Sequence, residues 1–258
     1  MARKLTKPHG GVKEFLNELS NLKIPQRWRS RMSAMRVCSR PVRVALVLWA
    51  VASLSGAPVR GQAAPSTGPT EQDREQWQRV PEIFAAMGIR PGSHVADVGA
   101  GSGFFTVRLA RAVGPSGRVF AVDVNPETVR DLKERIARER LTNVEVIVGD
   151  HTSSRLPASL DGVLIVNAYH EMHEHQPMLD SIRQALKLDG RLVIVEPIAE
   201  SRRGTTRAVQ QSNHEIDADF VVEDLRQAGF EVVTRQDRFV ENLLDRDTEW
   251  LIVARPLY

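Results

Sequence analysis

The chain has 258 residues, of which 42% are apolar, enough for one α/β domain with an extension. Cys38 is the only cysteine, which excludes an intrachain disulfide and a metal site built from several cysteines. The net charge of +3 averages two unlike parts: residues 1–60 hold 12 Lys or Arg and two Glu, whereas the remainder holds 23 basic and 30 acidic residues. The acidic remainder argues against a nucleic acid partner, because such proteins cluster basic side chains against phosphates.

The N-terminal 60 residues have the pattern of a leader. Arg36, Arg40 and Arg43 precede an apolar run over residues 44–54, and small residues follow. This order is typical of an export signal, and the run is short for a transmembrane helix, which needs about 20 apolar residues. We therefore predict that residues 1–60 export the protein to the periplasm or anchor it in the membrane, with membrane contact through this leader only. The alternative is a disordered leader on a cytoplasmic protein.

Residues 61–70 are rich in Pro, Gly, Ser and Thr and predict a linker, so the folded domain is expected over residues 71–258. Thr70 and Asp73 resemble a capping box that opens a helix to about Met87, which Pro81 divides. Apolar strands and amphipathic helices then alternate. Strands are predicted at 94–98, 118–122, 144–148, 162–166, 191–195, 230–235 and 249–254, and helices at 104–113, 126–140, 178–188 and 219–228.

This alternation predicts an α/β fold: a mostly parallel sheet of seven strands with helices on both faces. Such sheets bind ligands at the carboxyl ends of the strands, near the point where the strand order reverses. The chemistry is therefore expected just after the strands, around residues 99, 123, 150, 168 and 197.

A glycine-rich loop, DVGAGSG over Asp97–Gly103, follows the first predicted strand and opens a helix. Glycines let the backbone approach a ligand closely and adopt positive φ, and the helix N-terminus offers free N–H groups. Asp123 ends the second strand, where it can accept hydrogen bonds from two ribose hydroxyls. Asp150 follows the third strand, where it can hold an adenine amino group. These features together predict a nucleotide-like cofactor.

An NAD-dependent oxidoreductase is the alternative, and two residues disfavour it. Its G-x-G-x-x-G pattern needs a glycine at position 104, where this chain has Phe104. Asp97 would repel a pyrophosphate, whereas it suits a cationic amino-acid group. A tight turn without any ligand would leave Asp123 and Asp150 unexplained.

The pattern Asp-x-Gly-x-Gly-x-Gly, with acids after the second and third strands, resembles class I S-adenosylmethionine-dependent methyltransferases. The segments VADVGAGSGFFTVRLA, VFAVDVNPE, VEVIVGDHTSSRLP and LKLDGRLVIVEP are similar to the successive motifs of that family, in order. The resemblance covers about residues 75–255. It is strongest to small-molecule enzymes of the quinone-biosynthesis type and extends to bacterial methyltransferase-like proteins with export signals. It implies a Rossmann-like methyltransferase fold and transfer of a methyl group to a small-molecule acceptor.

The resemblance also implies which residues bind S-adenosylmethionine. Those of the glycine loop are expected beside its methionine and ribose parts, those after the second strand beside ribose and adenine, and those after the third strand at the adenine ring. Asn167, at the end of the fourth strand, is expected at the methionine end. The predicted set is Asp97, Gly99, Ala100, Gly101, Gly103, Asp123, Val124, Asp150, His151 and Asn167.

The acceptor is expected at residues 167–175, NAYHEMHEH, which follow the fourth strand. His170 and Tyr169 lie closest to the methyl donor and are the predicted catalytic residues. A histidine with a near-neutral pKa can take a proton from an acceptor hydroxyl or an acidic carbon. The alternative for His170 is a packing or positioning role.

Three histidines in this segment raise the question of a metal site. The spacing is not H-E-x-x-H, since Glu174 stands where the second histidine belongs. For His173, Glu174 and His175 we favour a polar loop that caps the next helix, and we predict no metal site. The pair His214-Glu215, at the start of a later helix, is a candidate for facing the same pocket.

A second function remains open: a protein of this fold that binds S-adenosylmethionine or serves as a scaffold without turnover. The export-like leader motivates it, because S-adenosylmethionine is made in the cytoplasm. The sequence favours no particular acceptor and no particular oligomeric state.

Overall fold

The computed structural model describes residues 70–242 and 247–257. The predicted leader and nearly all of the predicted linker lie outside these residues, so export, anchoring and the domain boundary stay predictions. Within the described ranges, no helix is long and apolar enough to cross a membrane. The helices are α1 (Glu71–Trp77), α2 (Val80–Met87), α3 (Phe104–Val113), α4 (Pro126–Arg138), α5 (His175–Ala185), α6 (Arg207–Gln211) and α7 (Ala218–Gln227). The strands are β1 (His94–Val98), β2 (Arg118–Asp123), β3 (Val144–Val148), β4 (Leu160–Val166), β5 (Leu186–Ala199), β6 (Phe230–Asn242) and β7 (Asp247–Pro256).

The seven strands form one sheet in the order β3-β2-β1-β4-β5-β7-β6. The first five run parallel, and β7 pairs antiparallel with both β5 and β6. The predicted mostly parallel, seven-stranded Rossmann-like sheet is thus confirmed. The chain builds outward from β1 to β3 and then returns to add β4 on the other side of β1. The strand order therefore reverses between β1 and β4, which is where such a sheet opens a ligand crevice.

Helices cover both faces of the sheet, and β4 shows why. Val163 and Ile165 pack into the core cluster that includes α5 and α7, whereas Leu164 and Val166 pack into the cluster that includes α2 and α3. Successive side chains of a strand point to opposite faces, so a strand apolar at every position must be covered on both sides.

The predicted helix over residues 70–87 is divided in two, as expected. Thr70 and Asp73 form a capping box in which each residue accepts the other's backbone N–H, at 2.8 and 3.2 Å. Arg79 then adopts a left-handed conformation with φ of 53°, and Pro81 lies in the first turn of α2. Proline is tolerated there because the first N–H groups of a helix have no partner within the helix.

The prediction of a helix over residues 178–188, ended by Asp189 and Gly190, was wrong in its bounds. Helix α5 begins at His175 and ends at Ala185, and β5 begins at Leu186. Leu186 is buried and pairs with Leu160 of β4, whereas Leu188 is 72% exposed. Pairing with β4 overrides the helical tendency of this segment, because it buries Leu186 and satisfies its backbone.

Candidate functional site

A cleft lies at the carboxyl ends of β1, β2 and β4, where the strand order reverses. It has a cavity volume of about 130 Å³ and is open to solvent. Residues predicted from three separate sequence motifs meet in its lining. Those predicted cofactor residues are Gly99, Asp123, Val124 and His151.

The glycine loop comes close to the segment after β4. Gly99 has φ of 77°, and a Cβ added to it would collide with the Cβ of Ala168, so only glycine allows this approach. Gly101 and Gly103 also have positive φ, and a Cβ on Gly103 would collide with Leu132. The side chain of Ala100 packs in a core cluster with Leu132. Ala100 can therefore meet a ligand only through its backbone.

Asp123 links the end of β2 to the glycine loop. Its Oδ2 accepts the N–H of Gly101 at 3.0 Å, and its Oδ1 accepts the N–H of Asn125 at 2.9 Å. A carboxylate offers about four lone-pair positions, so each oxygen keeps one for a further donor. The half-buried carboxylate can therefore accept two hydroxyl groups from the cleft.

The carboxylate of Asp150 makes its hydrogen bonds and its ion pair within its own loop. It accepts the N–H and the hydroxyl of Thr152 at 2.9 and 2.8 Å and pairs with Arg155 at 3.0 Å. These contacts hold the pKa of Asp150 at about 2. The structure does not bring Asp150 into the lining of the cleft, whereas its neighbour His151 does line it. The predicted contact between Asp150 and adenine stays a prediction.

Two buried carboxylates lie towards α1. Asp97, 3% exposed, accepts the hydroxyl of Thr106 at 2.5 Å, and burial raises its pKa to about 6. Burial also raises the pKa of Glu249 to about 7, although hydrogen bonds from Gln78 and Asn167 oppose the shift. Arg74 of α1 interacts electrostatically with both acids.

The second oxygen of Glu249, Oε2, is buried and has no hydrogen-bond partner among the described residues. Asn167, which follows β4 with a left-handed backbone, hydrogen-bonds this glutamate, and neither residue is in the lining of the cleft. A buried carboxylate oxygen without a donor is costly unless a ligand supplies one. The two carboxylates at this end can accept hydrogen bonds from a cationic amino group, such as that of the methionine part of S-adenosylmethionine.

Replacing Asp97 with Asn is expected to stabilise the cofactor-free protein at neutral pH and to change it little near pH 4. The folded-state pKa of Asp97 exceeds its ordinary value of 3.8, so stability falls as pH rises from about 4 to about 6 and then stays constant. A shift of about two pKa units corresponds to about 3 kcal/mol. Urea unfolding of both proteins at about pH 4 and about pH 7.5 measures the difference. A variant less stable than the wild type at the higher pH would contradict this account.

His170 is held by a glutamate that sequence reasoning missed. The imidazole is 5% exposed, and its Nδ1 lies 2.6 Å from Oε2 of the fully buried Glu196. The other oxygen of Glu196 accepts the N–H groups of Ala168 and Tyr169, both at 2.6 Å. Although burial opposes protonation, the hydrogen bond and charge of Glu196 raise the pKa of His170. The only signal for Glu196 in the sequence was a charge at the end of an apolar strand.

The contact with Glu196 fixes the tautomer and the orientation of the His170 ring. Because a carboxylate accepts at Nδ1, that nitrogen carries a proton, and in the neutral ring Nε2 keeps its lone pair. Nε2 lies 3.7 Å from Oε1 of Glu171, and Glu171 lines the cleft. Nε2 of His170 is therefore next to Glu171, although His170 itself is not among the residues that line the cleft.

Tyr169 points the other way. Its hydroxyl donates to Asp224 of α7 at 2.8 Å, and its side chain is 1% exposed. Burial and the charge of Asp224 raise the pKa of the tyrosine above its usual value. Asp224 also binds Arg207 and His175, at 2.7 and 3.2 Å. The structure does not bring Tyr169 to the cleft, and its catalytic role stays a prediction without geometric support.

His214 comes to the same place as His170. Its Nδ1 lies 3.8 Å from Oε1 of Glu171, and its ring meets that of His170 edge to face at 5.6 Å. His173 contacts only the backbone of this group in the described structure, with Nδ1 at 2.9 Å from the carbonyl of Glu171. Glu174 is the N-cap of α5 but makes no side-chain capping bond, so the expected capping role of this loop was wrong for Glu174.

A family model described as "Methyltransferase domain" matches residues 89–242, which span the sheet from before β1 into β6. The chain belongs to this family. Since the matched range contains the glycine loop, Asp123 and the segment after β4, the cleft is the candidate active site of the methyltransferase. Membership favours the methyltransferase prediction over the NAD-binding alternative.

Parts of the chain are similar to proteins named as methyltransferases. An arsenite methyltransferase from Halobacterium salinarum is 33% identical over 121 residues, which cover 46% of this chain and 30% of that protein. A ubiquinone/menaquinone biosynthesis C-methyltransferase from Hydrogenovibrio crunogenus is 35% identical over 128 residues, or 46% of this chain and 47% of that protein. The chain thus spans less than half the length of these two relatives.

A solved structure supports the fold and the cofactor. The crystal structure of a S-adenosylmethionine-dependent methyltransferase from Aquifex aeolicus matches with a TM-score of 0.59 and 25% identity, covering 70% of this chain and 91% of that one. The methyltransferase uses S-adenosylmethionine as its cofactor. Of the three carboxylates, Asp123 lines the cleft and offers acceptor positions that fit ribose hydroxyls.

Proposed function

We propose that the protein transfers a methyl group from S-adenosylmethionine to a small-molecule acceptor that carries an ionisable hydroxyl or an acidic carbon. One observation carries the proposal. A single cleft joins Gly99 and Asp123 on one side to Glu171 on the other, and Oε1 of Glu171 lies 3.7 Å from Nε2 of the oriented His170. A methyl donor held on the first side would present its reactive end to an acceptor on the second.

The residues that would hold the cofactor follow from their contacts. Asp123 would accept the ribose hydroxyls, with Val124 and His151 against the adenine. Asp97 and Glu249 would face the cationic amino group. Because the carboxylates of Asp123, Asp97 and Glu249 already accept hydrogen bonds from the protein, binding would need little reorganisation of these three groups.

The chemistry divides between the cofactor and the protein. When bound, S-adenosylmethionine supplies a methyl group on a positively charged sulfur, which keeps the electron pair of the broken bond as a neutral thioether. His170 would accept the acceptor's proton at Nε2, and Glu196 would stabilise the resulting imidazolium through Nδ1. The segment after β4 would align the acceptor, which matters because the methyl group is already activated.

A small acceptor is supported by two further observations. The names of the two relatives above refer to arsenite and to the biosynthesis of ubiquinone and menaquinone. Arsenite and quinones are small molecules. The chain beyond residue 60 also carries an excess of acidic residues, which disfavours contact with a phosphate backbone.

Label transfer tests the proposal. The full chain is incubated with methyl-labelled S-adenosylmethionine and, in parallel, with the small-molecule, nucleic acid and protein fractions of one cell extract. We expect label in the small-molecule fraction alone, and none with the Asp123→Ala variant at the same concentration. Label confined to a macromolecular fraction would refute the small acceptor. A protein that binds the cofactor and labels no fraction would favour the alternative of a cofactor-binding protein without turnover.

A further inference from the structure

Three metal-ligating side chains from two distant parts of the chain converge beside the cleft. Oε1 of Glu171 lies 3.7 Å from Nε2 of His170 and 3.8 Å from Nδ1 of His214. One ligand atom from each residue lies within 4.8 Å of the other two. His170 and Glu171 belong to the turn after β4, whereas His214 precedes α7 by four residues.

These separations suit a transition metal. Zinc binds imidazole nitrogen and carboxylate oxygen at about 2.0–2.2 Å, so neighbouring ligands of a tetrahedral ion lie about 3.4 Å apart. The two separations through Glu171 exceed this value by less than about half an ångström. Small side-chain rotations of the two exposed members, Glu171 and His214, would close the difference, because their side chains are 69% and 78% exposed.

Glu196 orients His170 for metal binding through Nε2. Histidine ligands of metals usually donate their second ring N–H to a carboxylate, which fixes the tautomer and the ring orientation. The 2.6 Å contact between Nδ1 and the buried Glu196 has this arrangement and leaves Nε2 for a cation. A salt bridge at the protein surface would not need a buried carboxylate behind its histidine.

We propose that His170, Glu171 and His214 bind one divalent transition-metal ion of the zinc class and that its open positions receive an oxygen or nitrogen atom of the methyl acceptor. Three protein ligands with exposed surroundings are typical of catalytic sites, whereas structural sites are closed by four. Glu171 is at once a ligand and part of the cleft lining, which places the ion on the acceptor side.

The proposed role of the ion rests on the proposed function, whereas its binding does not. A hydroxyl bound to the ion would lose its proton more readily, because the cation stabilises the oxyanion. The proton would leave to solvent, no electron would be transferred, and His170 would act as a ligand in place of a base. This departs from the sequence prediction of no metal site.

Cobalt(II) titration of the full chain tests the site, since its visible absorption reports nitrogen and oxygen ligation, and equilibrium dialysis gives the stoichiometry. We expect one ion per chain.

His170→Asn keeps an amide nitrogen for Glu196, and His214→Asn tolerates the left-handed backbone at this position. Each is expected to weaken cobalt binding about 10-fold or more. His173→Asn, in the same loop but outside the group, is the matched control and is expected to bind like the wild type. Thermal unfolding confirms that each variant is folded.

Equal cobalt affinity in the wild type and in both folded ligand variants would overturn the site, as would loss of binding in His173→Asn alone. Calorimetric titration with S-adenosylmethionine on the same samples separates the two proposals. A protein that binds the cofactor but no cobalt would refute the metal site only. A protein that binds cobalt but not the cofactor would refute the proposed function only.

Discussion

Asp123→Ala is expected to weaken S-adenosylmethionine binding about 100-fold, an effect of about 3 kcal/mol. The carboxylate holds two backbone N–H groups and keeps lone pairs towards the cleft. Hydrogen bonds to a charged acceptor contribute about 1.5–3 kcal/mol each, and the variant would lose those to both ribose hydroxyls. The N–H of Gly101 would also lose its partner, which would loosen the glycine loop.

Isothermal titration with S-adenosylmethionine measures this loss. Asp131→Ala is the matched control, because Asp131 lies on the helix that follows β2 but is exposed and pairs only with the neighbouring Arg130 in the described contacts. The control should bind within about twofold of the wild type, as expected for an exposed ion pair. If Asp123→Ala binds within threefold of the wild type while remaining folded, the ribose assignment fails.

His170→Asn is expected to lower kcat about 100-fold or more while leaving the Kd for S-adenosylmethionine within about twofold. Asparagine can still donate to Glu196, so the buried carboxylate keeps its partner, but it places no group where Nε2 was. The variant therefore loses the proton acceptor, or the metal ligand, but keeps the residues that bind the cofactor.

The rate is measured with the acceptor that the fractionation identifies. His173→Asn, whose histidine contacts only a backbone carbonyl in the described structure, should keep the wild-type kcat. A His170→Asn enzyme with more than about a tenth of the wild-type kcat would remove His170 from the chemistry. If His214→Asn has the wild-type kcat, the metal ion takes no part in the reaction and His170 acts as the base.

The sequence predicted the sheet and the donor side because both depend on local order along the chain. Apolar runs of strand length, with capped amphipathic helices between them, determine an α/β sheet. The glycines at 99, 101 and 103 and the acid at 123 are spaced along one β-loop-α-β unit, so their contact follows from the motif itself. Where the prediction erred, as at Leu186, a pairing with β4 decided the conformation against the local tendency.

Only the tertiary structure decided the acceptor side. Glu196 reaches His170 because β5 lies beside β4, and His214 reaches Glu171 across more than 40 residues of chain. Tyr169 and His170 are adjacent in sequence, yet the tyrosine contacts Asp224 of α7 and the histidine contacts Glu196. Tertiary packing determines these two directions. Side-chain direction in an irregular turn follows no sequence periodicity. The sequence by itself therefore determined the fold and the predicted methyl donor, and only the folded chain determined which groups lie on the proposed acceptor side.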